Sequence, residues 1–304
     1  MTYFVQTLVD ALSLGSFYAL AALGIGLLFG ILRLINFAHG DFVTIGAYSL
    51  IVPSASVGAT AFIGAWHFVP LILAVSVVVV AAALLSDRVV FKHLRRASPS
   101  SLMVASFALG YVIQNLLLMI YGARPKSIGL WSELTRFVTV GDVRIPVLQL
   151  VVIGTTIVML TLLTLFLRRT RYGVQMRAAS EDFAMARYLG VRGDFVIAIA
   201  FAISGLLAAT TSLLLVSQTG VLSLNMGVSI VLYAFIATVV GGMGSLTGAV
   251  VGALLVGMAG SFLQSYLPLD VRPFRDAFLF GLVIAVLVAR PSGLFKVKAF
   301  EERV

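Results

Sequence analysis

The chain contains no cysteine, which removes disulfide frameworks and thiolate metal sites and leaves the redox compartment unread. Charge is almost as scarce: Asp, Glu, Lys and Arg make up 11% of the 304 residues, where a soluble domain carries about 25%. The three histidines, His39, His67 and His93, are far apart, and no paired-histidine metal motif occurs. No Gly-Lys is followed by Ser or Thr, so the chain has no P-loop and cannot bind ATP in that way. Together these absences exclude a water-soluble globular enzyme, a disordered chain and a nucleic-acid-binding domain with a wetted basic face. The first basic residue is Arg33, so the opening segment lacks the basic region of a cleavable signal peptide and none is expected.

What is abundant is apolar: 61% of the residues are hydrophobic. A bilayer crossing takes about 20 apolar residues, and the composition fits an all-α polytopic transmembrane helix bundle of about 8–10 spans, expected as one transmembrane domain over 1–304. The stretch from Phe195 to Leu269 holds no Asp, Glu, Lys, Arg or His. As one helix it would exceed 100 Å by about 10 Å, so it must fold back. Breaks are marked at Gln218-Thr219-Gly220 through Asn225 and at Gly241-Gly242-Met243-Gly244-Ser245. Nine spans follow, near 8–32, 38–53, 66–88, 101–121, 147–167, 195–216, 226–241, 246–266 and 276–289. The second is short, contains Asp41, and is expected to be tilted or partly re-entrant, which is allowed where backbone is buried in protein or lines an aqueous cavity.

Alternate loops divide the basic residues unequally. Fifteen fall on one side (Arg33, Arg88 to Arg96, Arg168 to Arg192, Arg290 to Arg303) and six on the other. The rule that cytoplasmic loops are enriched in Lys and Arg places the fifteen inside, with the C-terminus inside and the N-terminus outside. The outer loop Gly122 to Pro146 contains Trp131 and is expected to hold a short interfacial helix. The inner loop 168–194 has good helix formers between Gly173 and Gly190, an i, i+4 pair of Arg177 with Glu181, and Val174, Ala178, Met185 and Leu189 spaced for one face. It predicts one amphipathic helix at the cytoplasmic surface, either a connector resting on headgroups or a handle for a soluble motor.

Only Asp10 and Asp41, with Asp276 near a helix end, are candidates for intramembrane charge. Proton-coupled and voltage-driven proteins keep such groups as relays or sensors, so the energy source is expected elsewhere. A sodium-coupled carrier using carbonyls and hydroxyls stays open as an alternative. Gly26 to Gly30 and Gly248 to Gly252 match GxxxG and read as close helix packing.

Three segments are more specific: Leu34-Ile35-Asn36-Phe37-Ala38-His39-Gly40-Asp41; Met176-Arg177-Ala178-Ala179-Ser180-Glu181-Asp182 with Ala186, Leu189, Gly190 and Val191; and Gly241-Gly242-Met243-Gly244-Ser245-Leu246-Thr247-Gly248-Ala249. In this order and spacing they resemble the LivH-type permease of branched-chain amino acid ABC importers over nearly the full chain. Ser180 stands where that family often has alanine. The resemblance implies an inner-membrane permease that is not itself an enzyme. It implies a LivM-type permease partner, two ABC ATPase subunits that bind the ATP, a periplasmic solute-binding protein and surrounding membrane lipid, with no cofactor, metal or nucleic acid. It also implies that Arg177, Ala178, Glu181, Asp182, Ala186 and Gly190 contact the ATPase, with small alanines allowing close approach and Gly190 ending the helix.

Two readings stay open for each remaining motif. Asn36 either caps a helix while His39 and Asp41 satisfy each other at headgroup level, or these residues line or gate the path. Gln114 and Asn115 are packing residues or path-lining ones. Gly241, Gly242, Gly244, Ser245 and Gly248 form a tight turn with positive φ or a hinge. The expected solute is a branched-chain or hydrophobic amino acid, with urea or a short-chain amide as the alternative inside the superfamily and a self-sufficient channel or ion-coupled carrier as the alternative outside it. A membrane-embedded enzyme has no metal set or nucleophile-base pair to support it.

Overall fold

The computed structural model describes residues 2–54, 59–95, 97–140 and 143–295. Its helices are α1 (Thr2–Leu32), α2 (His39–Tyr48), α3 (Phe68–Ser86), α4 (Pro99–Tyr121), α5 (Val147–Arg169), α6 (Arg171–Glu181), α7 (Phe183–Tyr188), α8 (Gly193–Thr219), α9 (Met226–Gly241), α10 (Leu246–Tyr266) and α11 (Arg275–Ala289). Six of them are long and apolar enough to cross a membrane; α2, α9 and α11 are shorter, at 10, 16 and 15 residues. The protein is a multi-pass membrane protein.

One end gathers Arg33, Asp87, Arg95 and Ala179 to Ala184 around a shared cavity, and Leu167, Arg168, Met176 and Gly244 around another. This basic end carries the charge-rich loops grouped together by the sequence. The other end is marked by aromatic pairs, Tyr3 with Tyr266, Tyr48 with Tyr121 and Phe68 with Trp131. Aromatic rings are favoured at membrane–water boundaries.

Helix α1 is the axis. It packs against α10, α8, α9 and α5, and Ala19, Leu20, Ala21, Ala22 and Leu23 are all fully buried. Lipid is as apolar as these side chains, so close packing rather than escape from water holds such helices together, and small residues set the approach. A Cβ at Gly257 would overlap the backbone of Gly15. The GxxxG pair of α10 works the same way, since a Cβ at Gly248 or Gly252 would overlap backbone oxygens of α9.

Three features depart from the sequence reading. The outer loop holds a 3₁₀ turn, Ser132–Thr135, and a hairpin of β1 (Phe137–Val140) with β2 (Val143–Pro146), registered Phe137 to Pro146 and Val140 to Val143. β-Branched and aromatic residues on both sides of Gly141-Asp142 carry that hairpin, and Gly141 and Asp142 lie outside the described residues. Helix α3 runs on into a π turn, Asp87–Phe91, three residues past the expected end. Lastly, the inner loop is two helices, broken at Asp182.

Where α2 meets α9 the backbones touch: a Cβ at Gly227 would overlap the Gly40 carbonyl oxygen, whereas one at Gly154 in α5 would meet nothing within 4 Å. Gly227→Val should therefore lower stability by about 1–3 kcal/mol and Gly154→Ala should not. Thermal unfolding of the detergent-solubilised variants, followed by size-exclusion fluorescence, checks this; equal stability of the two would contradict the packing.

Candidate functional site

The second pass is broken. After α1 ends at Leu32 the chain runs without helix from Arg33 to Ala38 and becomes helical only at His39. The break lies in the protein interior, since Leu34, Asn36, Ala38 and His39 are buried. Unpaired backbone groups there are costly, and α4 satisfies part of the cost. Ser106 Oγ accepts from Phe37 N at 3.2 Å and donates to the Met103 carbonyl at 2.7 Å. One turn along α4, Gly110 has no side chain because the Asp41 carboxylate occupies the place of its Cβ. One turn further, Gln114 Nε2 donates to Asp41 Oδ1 at 2.8 Å. Phe107 stacks on Phe37 at 4.2 Å between centroids, and Phe37 also meets Phe235 of α9 at 5.2 Å. Residues 106, 110 and 114 thus form a stripe at helical spacing that holds α4 to the break, while most of the rest of α4 faces outward.

The headgroup-level capping reading does not survive. Ala38, not Asn36, occupies the N-cap position of α2, without a side-chain cap bond. His39 and Asp41 do not pair: His39 Nδ1 shares a hydrogen bond of 3.0 Å with Ser204 Oγ of α8, while Asp41 faces α4. Residues two apart on a helix point to different neighbours, which is why local reading failed. His39 also fills the groove over Gly24, where a Cβ would overlap the imidazole. Asn36 is fully buried with neither amide atom partnered. Asn115 is half-buried and donates to the Tyr111 carbonyl at 2.8 Å. The structure therefore brings Asp41 and Gln114 together and leaves Asn115 apart on the outer face.

At the basic end, α6 packs through Gly173, Met176 and Ala179. Val174, Ala178, Met185 and Leu189, spaced for one face, are all exposed. The cause is the tight entry from α5: a Cβ at Gly173 would overlap Phe166 O and Leu167 Cα, which fixes the rotation of α6. Arg177 Nε donates back to the Leu167 carbonyl at 3.1 Å, so this side chain closes the end of α5. Asp182 Oδ1 accepts from Met185 N at 2.9 Å and caps α7. Gly190 has φ +89°, with Val191 N to Ala186 O and Gly190 N to Arg187 O both at 3.0 Å, the paired bonds of a Schellman end. Of the expected contact set, Arg177, Ala178, Glu181, Asp182 and Gly190 are exposed; Ala186 is buried against the bundle, as is Ala179. Beside them the same surface presents Val174, Met185, Tyr188 and Leu189.

The glycine turn between α9 and α10 has Gly242 at φ +108° and Gly244 at φ +92°, and Ser245 Oγ accepts from Gly248 N at 3.0 Å to cap α10. Gly241 and Gly248 approach so closely that neither has room for a Cβ. The segment after α11 closes over this turn, with Leu294 N to Val240 O at 2.9 Å and Phe295 N to Gly241 O at 3.0 Å.

Sequence reasoning missed the charged link Arg95–Asp87–Asp194. Arg95 donates to both Asp87 carboxylate oxygens at 3.2 Å and to Asp194, tying the end of α3 to the start of α8. The i, i+4, i+8 run of Ser106, Gly110 and Gln114 was also missed, although its spacing was visible. Among the described residues no cluster of His, Cys, Asp or Glu could hold a metal ion.

A bundle of long apolar helices with a broken second span and a helix pair at its basic end has the architecture of a membrane permease. The family model for the branched-chain amino acid transport system permease component matches residues 7–287, and the chain belongs to that family. It is 33% identical to the high-affinity branched-chain amino acid transport system permease protein BraD of Pseudomonas aeruginosa, over 96% of this chain and 95% of the relative. It is 32% identical to LivH of Escherichia coli K12 over the same shares. A probable branched-chain amino acid transport permease of Methanocaldococcus jannaschii matches at 24% identity over 92% of this chain and 87% of the relative.

Replacing Gln114 by Leu removes the side-chain donor to Asp41 and should cost about 1–3 kcal/mol. In the cysteine-free chain, single cysteines at Phe37 and Phe107 should cross-link with a short reagent, and Gln114→Leu should reduce that yield. An unchanged yield and unfolding temperature would show that the stripe does not hold α4.

Proposed function

We propose that the chain is one of two permease subunits of an ABC importer that moves branched-chain amino acids inward across a bacterial inner membrane. The observation that carries this reading is near-full-length similarity to BraD and LivH, permeases of high-affinity branched-chain amino acid systems. The remaining parts are a LivM-type second permease, two ATPase subunits and a periplasmic binding protein. ATP is bound and hydrolysed by the ATPases, and the chain needs no cofactor of its own. In this reading the basic end faces the cytoplasm, and the path runs between the two permeases.

The exposed surface of α6 and α7 supports a docking role for this loop. Met185 is 55%, Tyr188 87% and Leu189 79% exposed, with Glu181 and Asp182 beside them. Apolar anchors inside a charged rim suit a protein partner better than water. Its inward faces are fixed by the Gly173 entry and the two caps, so a displacement imposed on it moves α5 and α8 with it. ATP closes the ATPase pair, the loop shifts, and the population of the bundle moves from one access state to the other. The stripe of Ser106, Gly110 and Gln114 beside the broken span is where α4 changes its relation to α2.

Glu181→Arg combined with Gly190→Trp should abolish substrate-stimulated ATP hydrolysis and lower uptake about tenfold or more in the reconstituted complex. Wild-type coupling would remove the docking claim. Tyr188→Cys should be labelled by an impermeant thiol reagent only from the cytoplasmic face of inverted vesicles, and labelling from outside would reverse the orientation. Calorimetry of the cognate binding protein with L-leucine and urea decides the solute, and urea binding would overturn the amino-acid assignment.

A further inference from the structure

The basic end contains a cavity of about 400 Å³, within the range of small-molecule sites. One side is apolar, formed by Leu34, Phe91, Leu102 and Ile197, contributed by the end of α1, the π turn, α4 and α8. All four are buried. The remainder of the lining carries charge of both signs: Arg33 and Arg95, with Asp87, Glu181 and Asp182.

That combination selects among ligand classes. A phosphate has no use for the carboxylates, a divalent cation none for the guanidinium groups, and a neutral amide none for either charge. A zwitterion with an aliphatic side chain uses all three.

Two further observations point to a ligand. Arg33 sits at the end of α1 with φ +53°, a left-handed position that glycine fills without strain. The chain spends strain there on a long cationic side chain, and such outliers gather at functional sites. Arg95 Nε is buried with no acceptor, although its other nitrogens hold Asp87 and Asp194.

The position of the cavity says what binding would do. Residues Ala179 to Ala184 line it, and they are the joint between α6 and α7. A ligand there bridges this joint to α1, α4 and α8 and favours whichever arrangement presents the closed cavity. We propose that the cavity binds a zwitterionic aliphatic amino acid from the cytoplasm, and that the imported product thereby restrains ATP-driven turnover. The inference rests on the reading of the chain as an amino-acid permease with its basic end inside.

The test uses the assembled transporter without its periplasmic binding protein. Equilibrium dialysis should show L-leucine binding, with L-leucinamide and isocaproate, each lacking one charge, about tenfold weaker. In proteoliposomes, L-leucine on the cytoplasmic side should slow ATP hydrolysis. Leu102→Trp, which fills the cavity, should raise the half-inhibiting concentration about tenfold; Leu102→Ala, which removes apolar contact without adding bulk, should do the same if the larger side chain prevents assembly. Initial uptake into leucine-free vesicles, with the periplasmic binding protein added back, is read in parallel. If wild type takes up no leucine, the functional reading itself fails. If it does, but leucine neither binds nor slows hydrolysis, or both Leu102 variants respond as wild type, the site alone is overturned.

Discussion

Everything in this bundle answers to one constraint: inside the bilayer, backbone polar groups must find partners within the protein. The passes other than the second meet it with helix over most of their length. The second does not, and the segment from Arg33 to Ala38 is held by what surrounds it. Ser106 supplies a hydroxyl, Gly110 supplies space for a carboxylate, and Gly24 and Gly40 let a histidine and another backbone come close. Without those four small residues the break would be neither filled nor satisfied. The most irregular stretch is thus enclosed by α1, α4, α8 and α9, and only α4 among them is thinly attached elsewhere.

The same economy governs the basic end. The α6–α7 pair is a small structure of its own, with Thr170 Oγ accepting from Gly173 N at 3.0 Å at its entry, Asp182 in its middle and a Schellman end at Gly190. Each cap fixes one boundary, so orientation is set by local hydrogen bonds rather than by a large buried area. That leaves the outward surface free for recognition, while Arg95 fastens its exit to the end of α3.

Composition and periodicity were enough for the spans because apolar runs and glycine breaks are local signals. The boundaries 226–241 and 246–266 coincide with α9 and α10. That the second span is irregular was visible as shortness plus Asp41. What a single sequence could not show is which neighbour each side chain meets. His39 and Asp41 lie two residues apart yet serve α8 and α4, and nothing local chooses between those partners. Spacing put Val174, Ala178, Met185 and Leu189 on one face without saying which way that face turns; Gly173 sets the phase, and its steric role depends on the preceding helix. The β1–β2 hairpin was missed because a search for membrane spans passes over short strands.

The helix most completely enclosed in the finished protein, α1, is also made before all those that enclose it. Its main partners α8, α9 and α10 begin at Gly193, Met226 and Leu246. At about 5–20 residues per second, a delay on the order of ten seconds separates the release of α1 from the ribosome and the arrival of the first of them. During that interval the small-residue surface of α1, shaped for protein, is in contact with lipid or with the insertion machinery. Assembly of the permease is therefore a problem of waiting as much as of packing.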